Sequence, residues 1–199
     1  MNFFQALVNT FIPLFVAMDV FAIIGIFVAL TQGLDKARSK RVTNQSVTTA
    51  LLVGAGFLAI GKGVFSVLGI TTDDFKIAGG LLLLIIAILD IIQAGGERRM
   101  PSGEMGIVPI GVPIIVGPAV LTALLVLVDR YGVFPTVVSF LVNLFIVWVT
   151  LKNAGRIEAV IGRGGVVALS KIMALLLAAI AIMMIRIGLQ DFVAVMGRH

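Results

Sequence analysis

Cysteine is absent from the 199 residues, and His, Trp and Tyr occur once each. No disulfide framework can therefore form, although zero Cys says little about redox compartment in a chain with so few polar stretches. The lone His199 has no partner at metal-ligand spacing. No His-Glu-x-x-His, Gly-x-Ser-x-Gly or Walker loop occurs, so there is no catalytic or nucleotide-binding signature. Neither an enzyme nor a cofactor is expected. Charge is scarce too: Asp, Glu, Lys and Arg supply 13% of residues, roughly half the share found in a soluble domain. That excludes a soluble globular domain and a disordered chain alike.

What fills the chain is apolar. Such residues make up 60% of it, and mean hydropathy is +1.17. One helical crossing of a bilayer core needs about 20 apolar residues. Six segments qualify: Phe3 to Thr31, Val42 to Ile70, Phe75 to Ala94, Ile107 to Val128, Pro135 to Leu151 and Val166 to Leu189. Runs such as Leu81 to Ile86 never alternate with polar residues, which argues against barrel strands. The expected fold is all-α, six-spanning and integral to the membrane. Residues 1–199 form one transmembrane domain, with almost nothing left over for a soluble one. Met1 to Phe15 carries no Lys or Arg, so the first segment lacks the basic flank of a signal peptide and is expected to stay as a span.

A net charge of +5 and a pI near 10.1 would suggest nucleic acid in a soluble protein. In a membrane chain basic residues mark cytoplasmic loops instead, and no nucleic-acid partner is expected. The connections after spans one, three and five hold ten of them: Lys36, Arg38, Lys40, Arg41, Arg98, Arg99, Lys152, Arg156, Arg163 and Lys171. The opposite side holds three, Lys76, Arg130 and Arg198. This asymmetry places both termini outside the cytoplasm.

Three spans followed by three more make the second half an inverted copy in topology, with repeat one over about 1–95 and repeat two over about 106–199. Phe75-Lys76-Ile77-Ala78-Gly79-Gly80-Leu81-Leu82 aligns with Ser170-Lys171-Ile172-Met173-Ala174-Leu175-Leu176-Leu177, each placing a Lys ahead of a long apolar helix. The first span of each half carries an interruption near its middle, Asp19 in span one and Gly117-Pro118 in span four. Interrupted helices at the midplane of inverted repeats expose backbone groups and helix dipoles to a substrate. Pro109, Pro113 and Pro118 each lack an N–H and leave a carbonyl without its helical partner. In hydrocarbon such groups must face protein, water or a ligand.

Candidate site residues follow from this. Asp19 is an acid in an apolar helix, placed to carry a proton, anchor an ammonium group or cap an irregular turn. Pro113, Gly117 and Pro118 supply the freed carbonyls and the close approach. Thr122, one turn later, could bond a freed carbonyl or a ligand, and Asn143 in span five could bridge helices. Asp90 and Arg186 lie toward opposite faces, nearly 20 Å apart in depth at 1.5 Å per residue, so no direct bridge between them is expected.

Pro109-x-x-x-Pro113-x-x-x-Gly117-Pro118 resembles the corresponding segment of the MarC family of bacterial and archaeal integral membrane proteins. Ile77-Ala78-Gly79-Gly80-Leu81-Leu82 and Lys171-Ile172-Met173 are similar to it as well, and the resemblance covers nearly the whole chain. Span one departs from the pattern. Asp19 is present, but Val20 stands where the family has Pro, and Ala22 and Gly25 stand where Gly and Pro are expected. Whether the first helix is broken is therefore left open. The resemblance implies a prokaryotic plasma membrane and a secondary transporter or exporter of a small polar solute, specifically small neutral amino acids. A non-transporting scaffold or assembly factor is the alternative. The expected partners are a small-molecule solute and membrane lipids, with homo-oligomerisation left open.

Overall fold

A computed structural model describes residues 2–92 and 115–196. Among these residues the regular structure is entirely helical: α1 (Phe3–Met18), α2 (Val20–Thr31), α3 (Lys36–Leu68), α4 (Thr72–Ile92), α5 (Pro118–Tyr131), α6 (Val133–Lys152) and α7 (Ala154–Met196). Pro109, Pro113, Arg98, Arg99 and the beginning of the expected fourth span lie outside the described residues.

Helix starts follow local side-chain chemistry. Asp35 Oδ1 accepts from the Arg38 N–H at 2.7 Å, so α3 begins at Lys36, well before the expected Val42. Lys36, Arg38, Lys40 and Arg41 therefore occupy the first turns of a helix rather than a loop, as suits good helix formers. Thr71 and Asp74 form a reciprocal box ahead of α4: Asp74 N–H donates to Thr71 Oγ1 at 3.1 Å, and Thr71 N–H donates to Asp74 Oδ2 at 3.0 Å. A second difference lies between the last two spans. Only Asn153 separates α6 from α7, and α7 starts at Ala154, twelve residues before the expected Val166. The segment expected as a loop is helical up to Gly162, which takes φ +76° and turns the chain. That conformation strains any residue with a Cβ.

Side chains are sorted as lipid requires. Leu81, Ile85, Ile88 and Ile92 of α4 are exposed at helical spacing, whereas Leu83 and Ala87 are fully buried. Thr10, Thr122, Thr136, Ser139 and Asn143 are buried polar residues inside the bundle. The 20 residues of α6 reach about 30 Å, the thickness of a hydrocarbon core. Trp148 lies one turn before its end, hydrogen-bonded to Asn44 Oδ1 and covered by Lys152 Nζ at 3.5 Å. Tyr131 lies just before its start, beside the Arg130 guanidinium. The lone Trp and lone Tyr thus mark the two interfaces, as aromatic belts do. We call the Tyr131 side, which also carries the chain's beginning, the N-terminal face, and the Trp148 side the basic face.

Contacts between helices are close. A Cβ on Gly80 would fall 2.8 Å from the Ala181 carbonyl oxygen, and one on Gly188 would fall 3.0 Å from the Asp73 carbonyl oxygen. The α4–α7 pair therefore packs backbone to backbone, which only small residues allow. Polar groups join α1 to α6: Thr10 and Ser139 hydroxyls lie 2.7 Å apart, and Asn143 Nδ2 donates to the Phe11 carbonyl at 3.3 Å.

Candidate functional site

The apolar run of span one is broken at Asp19. Its backbone takes φ 40°, ψ 67°, the only positive φ among described non-glycine residues. Asp is one of the few side chains that tolerate this left-handed conformation, because its short carboxylate can bond locally. Here it does. Oδ1 accepts from the Ala22 N–H at 3.1 Å and so caps α2, while the Asp19 N–H donates to the Val16 carbonyl at the end of α1. Oδ2 accepts from the Ser170 hydroxyl of α7 at 2.7 Å. One residue thus ends one helix, begins the next and ties both to a third.

Gly117 sits at the N-cap of α5 with Pro118 at the first helical position, where its missing N–H is no loss. The 16 residues of α1 and the 14 of α5 extend about 24 Å and 21 Å from the N-terminal face. Asp19 and Gly117 consequently lie at similar depth, and both line one cavity of about 310 Å³. Its other lining includes Val16, Ala17, Met18, Pro118, Asp90 and Met173. The N-terminal ends of α2 and α5 and the C-terminal end of α1 all meet there. Helix N-termini carry partial positive charge and exposed N–H groups, and a C-terminus the reverse. The cavity is accordingly bordered by two helix N-termini, whose dipoles favour an anionic group, and by Asp19, Asp90 and a helix C-terminus, whose charge favours a cationic one.

Asp19, Gly117 and Pro118 are thus brought together. Thr122 lies one turn further along α5, buried, with its methyl pressed on Gly79 rather than lining the cavity. Asn143 lies in the α1–α6 contact, bonded to the Phe11 and Ser139 carbonyls. Pro113 is outside the described residues. Sequence reasoning gave no role to Ser170 or to Asp90 at this cavity. Ser170 lies 151 residues from its partner, a pairing no local pattern reveals. Asp90 was legible only as an acid near the end of an apolar helix.

A second group of charges was also missed. Lys76 is only 8% exposed, and its Nζ lies 2.9 Å from Asp73 Oδ1, 3.1 Å from Asp191 Oδ2 and 3.7 Å from Asp129 Oδ2. Lys76, Asp129 and Asp191 border a separate cavity of about 260 Å³ toward the N-terminal face, with Asn9 and Pro13 on its wall. Among the described residues no group of His, Cys, Asp or Glu is arranged to hold a metal ion.

Residues 4–193 match the profile of a family described as MarC family integral membrane protein. A UPF0056 membrane protein of Methanocaldococcus jannaschii is 30% identical, covering 94% of this chain and 97% of its own length. The UPF0056 inner membrane protein YhgN of Escherichia coli is 28% identical, covering 92% and 96%. No solved structure matches. The chain belongs to the MarC family and is an integral membrane protein.

Proposed function

We propose that this MarC-family chain is a secondary transporter or exporter of a small zwitterionic solute, of the neutral amino acid class, bound at the Asp19 cavity. The meeting of two helix N-termini with a carboxylate-bearing helix break carries the reading. A solute carboxylate would take the N–H groups at the starts of α2 and α5, and its ammonium would take Asp19 and the carbonyl end of α1. At about 310 Å³ the cavity is at the small end of ligand pockets, which suits a small solute. The reading treats residues 1–95 and 106–199 as inverted repeats: α2 and α5 are both short, both begin beside the cavity, and run toward opposite faces. No ATP-driven or enzymatic step is part of it. Partners are the solute and the surrounding lipids, with self-association open to test.

Purified protein in proteoliposomes, offered a panel of radiolabelled neutral amino acids with and without a pH gradient, tests the proposal. Saturable flux is expected in the parent and none in Gly117→Leu, whose side chain would enter the cavity while leaving insertion and thermal unfolding close to the parent. Saturable binding without flux, or no response to any solute from a folded parent, would overturn it in favour of a scaffold.

Orientation is proposed from the basic face, which should lie in the cytoplasm. A reporter fused after His199 should then be active only on the external side. Cytoplasmic activity would reverse the assignment.

A further inference from the structure

Resting on the transport reading, we infer that the two cavities are successive chambers of one solute path, and that Lys76 latches the septum between them. They share no lining residue, yet four helices, α1, α4, α5 and α7, border both. On α1, Pro13 borders the N-terminal chamber and Val16 the other; on α5 the pair is Ala123 and Ala119; on α7 it is Ile180 and Leu177. On these three helices the pairs are three or four residues apart, about 4.5–6 Å, whereas on α4 the nearest pair, Lys76 and Ile86, is ten residues apart. The septum is therefore thin along α1, α5 and α7 and is backed by the stretch of α4 that carries Gly79, Gly80 and Leu83.

What fills it is apolar and tight. Leu83 and Ala181, both 0% exposed, belong to one contact cluster with Val16 and Ala119 from one chamber and Val126 and Met184 from the other. The Thr122 methyl presses on Gly79 within the same turn of α5. Leu83, Ala181 and the Thr122 methyl leave this layer apolar and closely packed, so a polar solute crosses only if α4, α5 and α7 separate. Lys76 on α4 opposes that movement. Its ammonium holds Asp129 of α5 and Asp191 of α7 on the N-terminal side of the septum. The contacts to Asp73 and Asp191 are charge-assisted hydrogen bonds, which are the strong kind, Asp129 adds an ion pair at 3.7 Å, and the three carboxylates come from three helices. Asp73, one turn back on α4, keeps the ammonium pointed at the mouth. A solute carboxylate arriving from the N-terminal face would compete for Lys76, and its ammonium for Asp129 and Asp191, releasing the latch.

The absence of cysteine makes the test clean. A single thiol is introduced by Ala119→Cys, beyond the septum from the N-terminal face, and a membrane-impermeant thiosulfonate is applied to right-side-out and inside-out vesicles. The parent background should react from the basic face only. Lys76→Met should let the thiol react from the N-terminal face at least about tenfold faster, as removing contacts made only in the closed state shifts the population to the open one. Asp129→Asn with Asp191→Asn leaves Lys76 paired to Asp73 and should open the path equally, which keeps the test decisive where Lys76→Met fails to fold. An unchanged rate in the folded double variant, or equal reaction from both faces in the parent, overturns the latch. Loss of the transport reading shows differently, as absent solute flux in proteoliposomes whatever the thiol rates.

Discussion

Gly80→Ala is expected to destabilise the bundle by roughly 2–3 kcal/mol, as overpacking of a tight contact does. The added methyl would lie 2.7 Å from Ile185 Cγ1, 2.8 Å from the Ala181 carbonyl oxygen and 3.1 Å from the Ile185 nitrogen. Two of those three atoms are backbone, so no rotamer change relieves the clash and α4 must move off α7. Gly79→Ala is a useful contrast. Its methyl would collide with Thr122 Cγ2, a side-chain atom, so Thr122→Ser in the same chain should restore most of the loss. Ile185→Ala should not rescue Gly80→Ala, because the Ala181 carbonyl remains. At Gly56 a Cβ would meet nothing within 4 Å. There Ala should be neutral or stabilising, since it improves helix propensity by up to about 1 kcal/mol. Thermal unfolding in detergent, followed by circular dichroism, checks the series. A Gly80→Ala protein as stable as Gly56→Ala would mean that α4 and α7 are not in backbone contact.

The same packing explains what one sequence can and cannot disclose. Apolar runs of 20 or more residues have one stable form in a bilayer, so the helices of α1 through α4, of α6 and of α7 were legible from hydropathy. Small residues at Gly79 and Gly80 signalled close contact, but not with which helix. Boundaries differ where a run of charge suggests a loop. Lys36 to Arg41 and Arg156 to Arg163 lie in helices, capped or turned by Asp35 and Gly162. Both signals were local and readable. The site divides in the same way. Asp19 stood out because an acid in an apolar run demands a partner. Its partner Ser170 and its neighbour Asp90 come from distant helices, and their placement depends on packing that a single chain's pattern does not encode. Lys76 was read as a flank charge because Asp129 and Asp191 are remote in sequence; only the fold assembles the four-residue cluster.

Asp19 should separate folding from function more sharply than any other position. Asn has the same shape, tolerates the left-handed backbone and can still accept from the Ala22 N–H. Asp19→Asn is therefore expected to fold with stability close to the parent. Asp19→Ala removes the cap, at about 0.5–2 kcal/mol, and puts a side chain without local bonding at φ 40°, at roughly 1–2 kcal/mol more. Its combined loss should be about 1.5–4 kcal/mol, visible as a lower unfolding midpoint. Function should follow charge rather than stability. If Asp19 holds the solute ammonium, both variants lose a charge-assisted contact worth up to about 3 kcal/mol, which is roughly a hundredfold in affinity. Equilibrium binding and flux should then fall together in Asp19→Asn despite its intact fold. Normal binding with loss of only the pH-driven component would assign the carboxylate to proton movement instead, because Asn still accepts from the Ala22 N–H and can donate to the Ser170 hydroxyl in place of accepting from it, but cannot titrate. Full flux in Asp19→Asn would reduce Asp19 to the cap of α2 and remove the ammonium anchor from the proposed site.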